Sequence, residues 1–285
     1  MRDYIKLMRP FHWVKNLLIF VPLFFSGRLF TSNKITDLII AFLAFSLIAS
    51  SVYVLNDIKD ADKDRLHPKK KYRPIASGHI SKAHALMLWA LLIVISICLM
   101  ALIGQSIDSF YAALSLPIVY MLINVLYSNG LKNVPLLDVA IIAAGFVIRL
   151  YYGAVVCGIL ISDSLLLTVI SASFFLGFGK RRNELKKGTS TRKVLQAYNI
   201  HFLDKIMYVF IGLTLVFYSL WTITRGNNLV YTVPFSMLIV ADYCLIIESN
   251  SSDGDPAEVL KHSKTLMCLL VLFVVFMFIC LYVNP

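Results

Sequence analysis

Long apolar runs broken by short polar stretches organise this sequence. Nine can be marked, at roughly 12–27, 37–56, 83–104, 108–126, 135–158, 163–179, 202–224, 229–248 and 265–283. Most approach the ~20 residues with which an α-helix, rising 1.5 Å per residue, crosses a hydrocarbon core ~30 Å thick. They are continuous rather than alternating, so the short period-2 strands of a membrane β-barrel are not what the pattern describes. In lipid a helix satisfies its own backbone hydrogen bonds. The pattern predicts an all-α polytopic membrane protein of nine transmembrane helices, forming a single domain over 1–285. The run from Phe11 to Phe25 contains Lys15 and Asn16, and no small-x-small cleavage site follows, so it reads as a retained first span rather than a cleaved signal.

Composition sharpens this picture. The chain is 59% hydrophobic and 15% charged, with mean hydropathy +0.77, against about 45–50% apolar and about 25% charged in a soluble domain. Its five cysteines (98, 157, 244, 268 and 280) all lie in apolar segments without C-x-x-C spacing. They read as small packing residues, not as zinc ligands or disulfides.

The net charge of +11 is no nucleic-acid signal in such a chain, because Lys and Arg gather in loops that stay in the cytoplasm. With a cytoplasmic N-terminus, the outside loops hold only Arg28, Lys34 and Arg225, and Arg149 lies within a span. The other 23 of the 27 Lys and Arg residues fall inside. The split predicts the bacterial-type cytoplasmic membrane orientation, with polar cap loops at about 57–82, 127–134 and 180–201 facing the cytoplasm. A transporter would place its polar groups or broken helices near the bilayer midplane. Here the polar clusters collect at one face, so chemistry on soluble, charged substrates is expected there.

The stretch 56–78 reads NDIKDADKDRLHPKKKYRPIASG. Asp57, Asp60 and Asp64 stand at i, i+3 and i+7, one face of a helix. Three like charges so close need a counter-cation. Carboxylate oxygens suit Mg²⁺, which keeps several waters and bridges carboxylates to substrate phosphates. The cations that follow, Arg65, Lys69, Lys70, Lys71 and Arg73, are placed to hold remaining phosphate charge. A lone basic run is also what any cytoplasmic loop carries; the carboxylate stripe is the distinguishing feature. His12, His67, His79 and His84 show no paired metal spacing and receive no catalytic role.

N-D-x-x-D-x-x-x-D followed by R-P-I-A-S-G resembles the first signature of the UbiA superfamily of intramembrane prenyltransferases. The resemblance implies a helical bundle around a central cavity, with Mg²⁺ on Asp57, Asp60 and Asp64 and a diphosphate under the cap loops. The usual second signature is rich in Asp; here the region reads YSNGLKNVPLLD and offers Tyr127, Lys132 and the single acid Asp138. RPFHWVKN at 9–16, DRLHPKKKYRPIASG at 64–78 and FGKRRNEL at 178–185 are similar to the decaprenyl-phosphate phosphoribosyltransferase branch. That branch implies phosphoribosyl pyrophosphate (PRPP) as donor and a polyprenyl phosphate as acceptor. Carried over, Asn56 joins Asp57, Asp60 and Asp64 at metal and pyrophosphate, with Asp138 as the lone acid of the second motif. Lys69, Arg73, Tyr127 and Lys132 surround the donor phosphates.

Lys15 and Arg149 are both candidates for the lipid phosphate, and Asn16, beside Lys15 in the first motif, is a candidate substrate-binding residue. Arg149 lies eleven residues beyond Asp138, ~16 Å along its helix. Charge at that depth costs ~2.5–3.5 kcal/mol on insertion scales and marks either function or an internal pair. Lys15 either binds phosphate or snorkels to the interface. Lys180 and Arg181 either bind donor phosphate or anchor topology. Isoprenyl transfer from a prenyl diphosphate to an aromatic or other small acceptor is the alternative activity. Oligomeric state is not legible.

Overall fold

The computed structural model describes residues 2–67, 70–104, 109–188, 192–248 and 263–283. Among these residues ten α-helices follow one another: α1 (Arg2–Met8), α2 (Val21–Phe25), α3 (Ile35–Arg65), α4 (Lys82–Ile103), α5 (Phe110–Ser128), α6 (Leu137–Cys157), α7 (Asp163–Lys187), α8 (Ile200–Arg225), α9 (Val233–Glu248) and α10 (Lys264–Phe278). A 3₁₀ helix, Pro10–Phe20, runs directly into α2. Side chains of Ser81, Ser162, Asn199 and Ser263 accept a backbone N–H at the starts of α4, α7, α8 and α10. These are capping residue types at the ends of the polar loops.

Eight helical stretches among the described residues are long and apolar enough to cross a membrane: α3 to α8, Leu229–Glu248 and Lys264–Val283. The protein is an all-α, polytopic membrane protein. The first of the nine expected spans differs from the rest. It is the shorter composite Pro10–Phe25, whose 3₁₀ portion rises ~2.0 Å per residue, so that the whole extends ~30 Å.

The helices gather into two compact units, Met1–Asn129 with Ile148–Leu160, and Gly130–Val147 with Ile161–Pro285. In the first unit the 3₁₀ form has a visible cause. Residues at i and i+3 eclipse in this helix, so Trp13, Asn16 and Ile19 share a face, and Pro22 follows in α2. Asn16, Ile19 and Pro22 are buried, and Trp13 Nε1 and Asn16 Nδ2 donate to Ser50 (3.0 Å) and Ser46 (2.9 Å) of α3. Small residues let α3 be approached from several sides: Ala41, Ala44, Ala49, Ser50 and Ser51 are buried, as in membrane helix interfaces generally. Gly153 serves the same end on α6, since a Cβ there would stand 1.9 Å from the Ile19 carbonyl oxygen. Gly153→Ala is expected to cost ~1–3 kcal/mol, the range for overpacking, and to lower the melting temperature in detergent by several degrees. An unchanged melting curve would refute the close-packing account.

The apolar part of α3 ends near Leu55, and the helix continues to Arg65. Twenty residues suffice for the hydrocarbon, so its last ten, which carry all three candidate carboxylates, extend beyond an apolar run of that length.

The second unit packs α7 against α8 through Phe174, Phe178 and Phe210, whose rings stack. Val139, Leu203, Met207 and Ile247 complete its core. At Gly177 a Cβ would meet Val139 Cγ1 at 2.6 Å, so that glycine sets the approach of α7 to the start of α6.

Candidate active site

The end of α3 and the loop after it form one charged cluster in the first unit. Asp57 and Asp64 are buried, at 3% and 4% exposure, although both are ionisable. Arg73 explains this: one guanidinium nitrogen reaches Asp64 Oδ2 at 2.7 Å and Asp57 Oδ1 at 3.1 Å. Arg9 adds a second guanidinium on Asp57 Oδ1 at 2.5 Å and lies over the Tyr53 ring, 5.0 Å from its centroid. Buried charge is costly unless paired, and this pairing is what lets the two carboxylates sit there.

The RPIASG stretch aims Arg73 by folding as a turn. Ser77 N–H donates to the Arg73 carbonyl (2.8 Å), Ile80 N–H donates to the Pro74 carbonyl (3.0 Å), and Gly78 adopts φ 81°. Ile75 and Ile80 enter a small core with Leu7, Val54 and Ala61, while Arg65 Nε donates to the Ala76 carbonyl. The apolar members seat the loop, and the arginine just before them faces the carboxylates.

Asp60 is half-buried, with no hydrogen bond or ion pair among the described residues. No group of three or more His, Cys, Asp or Glu among the described residues is gathered to hold a metal. The sequence reading put Asp57, Asp60 and Asp64 on one metal; in the structure two of them hold arginines. The donor set still fits Mg²⁺, which takes one or two carboxylates and completes its octahedron with water and phosphate oxygens. Asn56 accepts from Ser128 (2.6 Å), and Lys59 donates to the Ser128 carbonyl (3.1 Å) and to Asn129, joining α3 to the end of α5. Tyr127 is half-buried on that same end. Lys69 lies outside the described residues, as do 189–191 of the third cap loop.

Asn16 and Arg149, expected to meet substrate, are enclosed together. Arg149 is 5% exposed and Asn16 1%. The Arg149 guanidinium donates to Asn16 Oδ1 (2.7 Å) and to the Tyr120 hydroxyl (3.1 Å) and stacks over the Phe45 and Tyr120 rings. It therefore ties the 3₁₀ helix, α3, α5 and α6 at depth, with aromatic faces assisting the charge. Lys15, one residue before Asn16, is half-buried.

The second unit has its own polar centre. Asp138 and Arg181 are both fully enclosed. Arg181 donates from Nε to Asp138 Oδ2 (2.5 Å) and from a terminal nitrogen to Glu184 (2.8 Å). The Tyr198 hydroxyl donates to Asp138 Oδ1 (2.7 Å) and accepts the N–H of Leu136 (2.6 Å), a residue held at φ 68°. Burial, foremost, pushes the Tyr198 phenol up to about 12, so it remains a donor to Asp138 throughout neutral pH. Lys132 and Lys180 are half-buried. Arg182 pairs with Asp204 and Glu248, and Lys186 with Glu248 (3.5 Å), which fastens α7 to α8 and α9. Thus Arg181 and Arg182, adjacent in sequence, have separate partners.

Sequence reasoning had passed over Arg9, Tyr53, Tyr120 and Tyr198 as individual residues. Arg9 stood only as a letter of RPFHWVKN. Nothing local marked the tyrosines, because each is defined by a partner dozens of residues away.

The ensemble is that of an intramembrane helical transferase: apolar helices ending in paired carboxylates, arginines and a basic loop. The UbiA prenyltransferase family matches residues 17–265, and the chain belongs to that family. It is 31% identical over 99% of its length to the decaprenyl-phosphate phosphoribosyltransferase of Corynebacterium glutamicum, covering 87% of that protein. It is 25% identical to the digeranylgeranylglyceryl phosphate synthase of Sulfolobus acidocaldarius, covering 95% of this chain and 96% of that one. A UbiA homolog from Archaeoglobus fulgidus bound to GPP and Mg²⁺ superposes with a TM-score of 0.72 at 18% identity, over 98% of this chain and 99% of that one. Relatives of more than one branch therefore share the fold.

Proposed function

We propose that this chain transfers 5-phosphoribose from PRPP to a polyprenyl phosphate, releasing pyrophosphate, at the cytoplasmic face of the membrane. The observation that carries a diphosphate donor is the Asp57–Arg73–Asp64 bridge beside Asp60: adjoining sites for a cation and for an anion, on one helix end and its loop. The phosphoribosyl choice is supported by the 31% identity over nearly the whole chain and by the replacement of a second Asp-rich motif with the single acid Asp138. The proposed cytoplasmic orientation rests on the distribution of Lys and Arg.

Asp57, Asp60 and Asp64 would hold Mg²⁺. Bound there, the metal would neutralise charge developing on the pyrophosphate leaving group. Arg73 binds donor phosphate in this reading, and its fork geometry suits phosphate oxygens. Lys132 and Lys180 are candidate phosphate-binding cations of the second unit. The acceptor is an ionised phosphate at neutral pH, so its oxygen attacks the anomeric carbon without a strong general base. Attack opposite the leaving group inverts that carbon. Fixed charge and orientation supply the acceleration. Lys15 is the better candidate for the lipid phosphate than Arg149, whose guanidinium is enclosed on Asn16 and Tyr120.

Isoprenyl transfer is the second reading. The ligands of the Archaeoglobus homolog, GPP and Mg²⁺, favour it more directly than they favour PRPP. Detergent-purified protein given Mg²⁺, labelled PRPP and a polyprenyl phosphate should move label into the organic phase, with EDTA abolishing transfer. Label moving instead from a prenyl diphosphate to an aromatic acceptor or a lipid alcohol, with none from PRPP, would overturn the first reading in favour of the second.

A further inference from the structure

We infer that Arg9 is a further diphosphate-binding residue, held on Asp57 as a resident counter-ion that a metal–diphosphate complex displaces onto phosphate. The inference rests on the reading of Asp57, Asp60 and Asp64 as a metal–diphosphate site. It does not depend on whether the donor carries phosphoribose or an isoprenyl chain.

Four observations support it. Arg9 precedes the 3₁₀ helix in the left-handed region, at φ 52° and ψ 57°, which a residue with a Cβ enters only against a steric cost. Backbone held there is a pointer to function, and what this backbone delivers is a guanidinium on Asp57 Oδ1. Second, the same oxygen already accepts from Arg73, which also holds Asp64. Asp57 and Asp64 with these two guanidiniums sum to zero charge, and Asp60 is the one carboxylate of the three without a counter-ion among the described residues. Third, the arginines are tethered differently: Arg73 bridges two carboxylates, whereas Arg9 reaches one carboxylate and a ring. The Tyr53 face, 5.0 Å from the guanidinium carbon, gives Arg9 a resting place when Asp57 turns to another cation. Fourth, the Arg9 side chain is 24% exposed, so it can turn toward a ligand without unpacking a core.

The charge count sets the consequence. A divalent cation arriving alone meets two carboxylates already neutralised, with Asp60 alone to attract it, and its approach is opposed by both guanidiniums. A cation arriving with a diphosphate brings the anion that the displaced guanidinium needs. Metal and diphosphate then favour each other's binding, and linkage makes that coupling reciprocal. Arg9 thereby disfavours the metal alone and favours the complex.

The test is calorimetric titration of the full-length protein in detergent with Mg²⁺ alone and with the preformed Mg²⁺–pyrophosphate complex, for wild type, Arg9→Gln and Arg9→Lys. Arg9→Gln is expected to bind Mg²⁺ alone about threefold or more tightly than wild type and the complex about tenfold more weakly. These opposite signs are the signature, because a merely structural arginine would weaken both together. Arg9→Lys keeps the charge and loses the fork; it should match wild type for Mg²⁺ alone and fall between the other two for the complex. It is also the measurement that stands if Arg9→Gln does not fold. Both affinities unchanged, or both reduced, in a folded variant would overturn the role of Arg9 and leave the metal–diphosphate site intact. Wild-type protein that does not bind the complex would overturn both.

Discussion

Replacing Arg181 with methionine is expected to destabilise the second unit by ~3–5 kcal/mol, the cost of leaving one partner of a buried ion pair unpaired. Asp138 and Arg181 are each fully enclosed, so no water compensates the carboxylate that remains. The Tyr198 hydroxyl still donates to it, but one neutral donor does not replace a guanidinium. Thermal unfolding in detergent reads the loss directly. The double substitution Asp138→Leu with Arg181→Met should recover much of it, since an apolar pair of similar volume removes the uncompensated charge. A single variant that melts with wild type would refute the structural role of the pair. A Tyr198→Phe variant offers a milder comparison, because it removes a hydrogen bond without stranding a full charge. The raised phenol has a definite sign in pH. Its folded value, about 12, exceeds the ordinary value of 10.0, so its contribution is complete below pH 10 and lost as pH rises towards 12.

Asp57→Asn should behave in the opposite way, with activity falling and the fold kept. Its two partners, Arg9 and Arg73, are 24% and 29% exposed, so water can solvate the guanidiniums once the carboxylate charge is gone. Partly exposed pairs contribute on the order of 1 kcal/mol or less, and asparagine retains an oxygen acceptor for both arginines. Loss of one anionic ligand at a metal–diphosphate site removes transition-state stabilisation on the order of 3–4 kcal/mol, roughly 10²–10³-fold in rate. Transfer of label from the donor, measured beside the melting curve, separates the two effects. Activity within a few-fold of wild type in a folded Asp57→Asn variant would remove Asp57 from the site. Together the two substitutions divide the polar residues by physical role: where the pair is sealed from water the cost appears in stability, and where it opens to water it appears in chemistry.

What the sequence determined about this protein is what local periodicity and composition encode. Apolar runs of membrane length specify helices because each such helix closes its own hydrogen bonds. The spacing of Asp57, Asp60 and Asp64 specifies one helical face because 3.6 residues make a turn. The resemblance of NDIKDADKD and RPIASG to the family signature pointed to the family that the comparisons then showed. The tertiary structure decided which charges meet. Arg9 reaches Asp57 across 48 residues of sequence, and Arg149 reaches Asn16 across 133; no window along the chain contains either pair. It also decided that the first apolar segment begins as a 3₁₀ helix, because the Trp13 and Asn16 side chains find Ser50, Ser46 and Arg149 and the Ile19 backbone packs against Gly153 on neighbouring helices. Lys180, Arg181 and Arg182 look alike as three letters in a row, yet successive helical residues point ~100° apart. The helices packed against α7 place Asp138 at Arg181, beside Glu184 of α7 itself, and Asp204 and Glu248 at Arg182, so assembly distinguishes them.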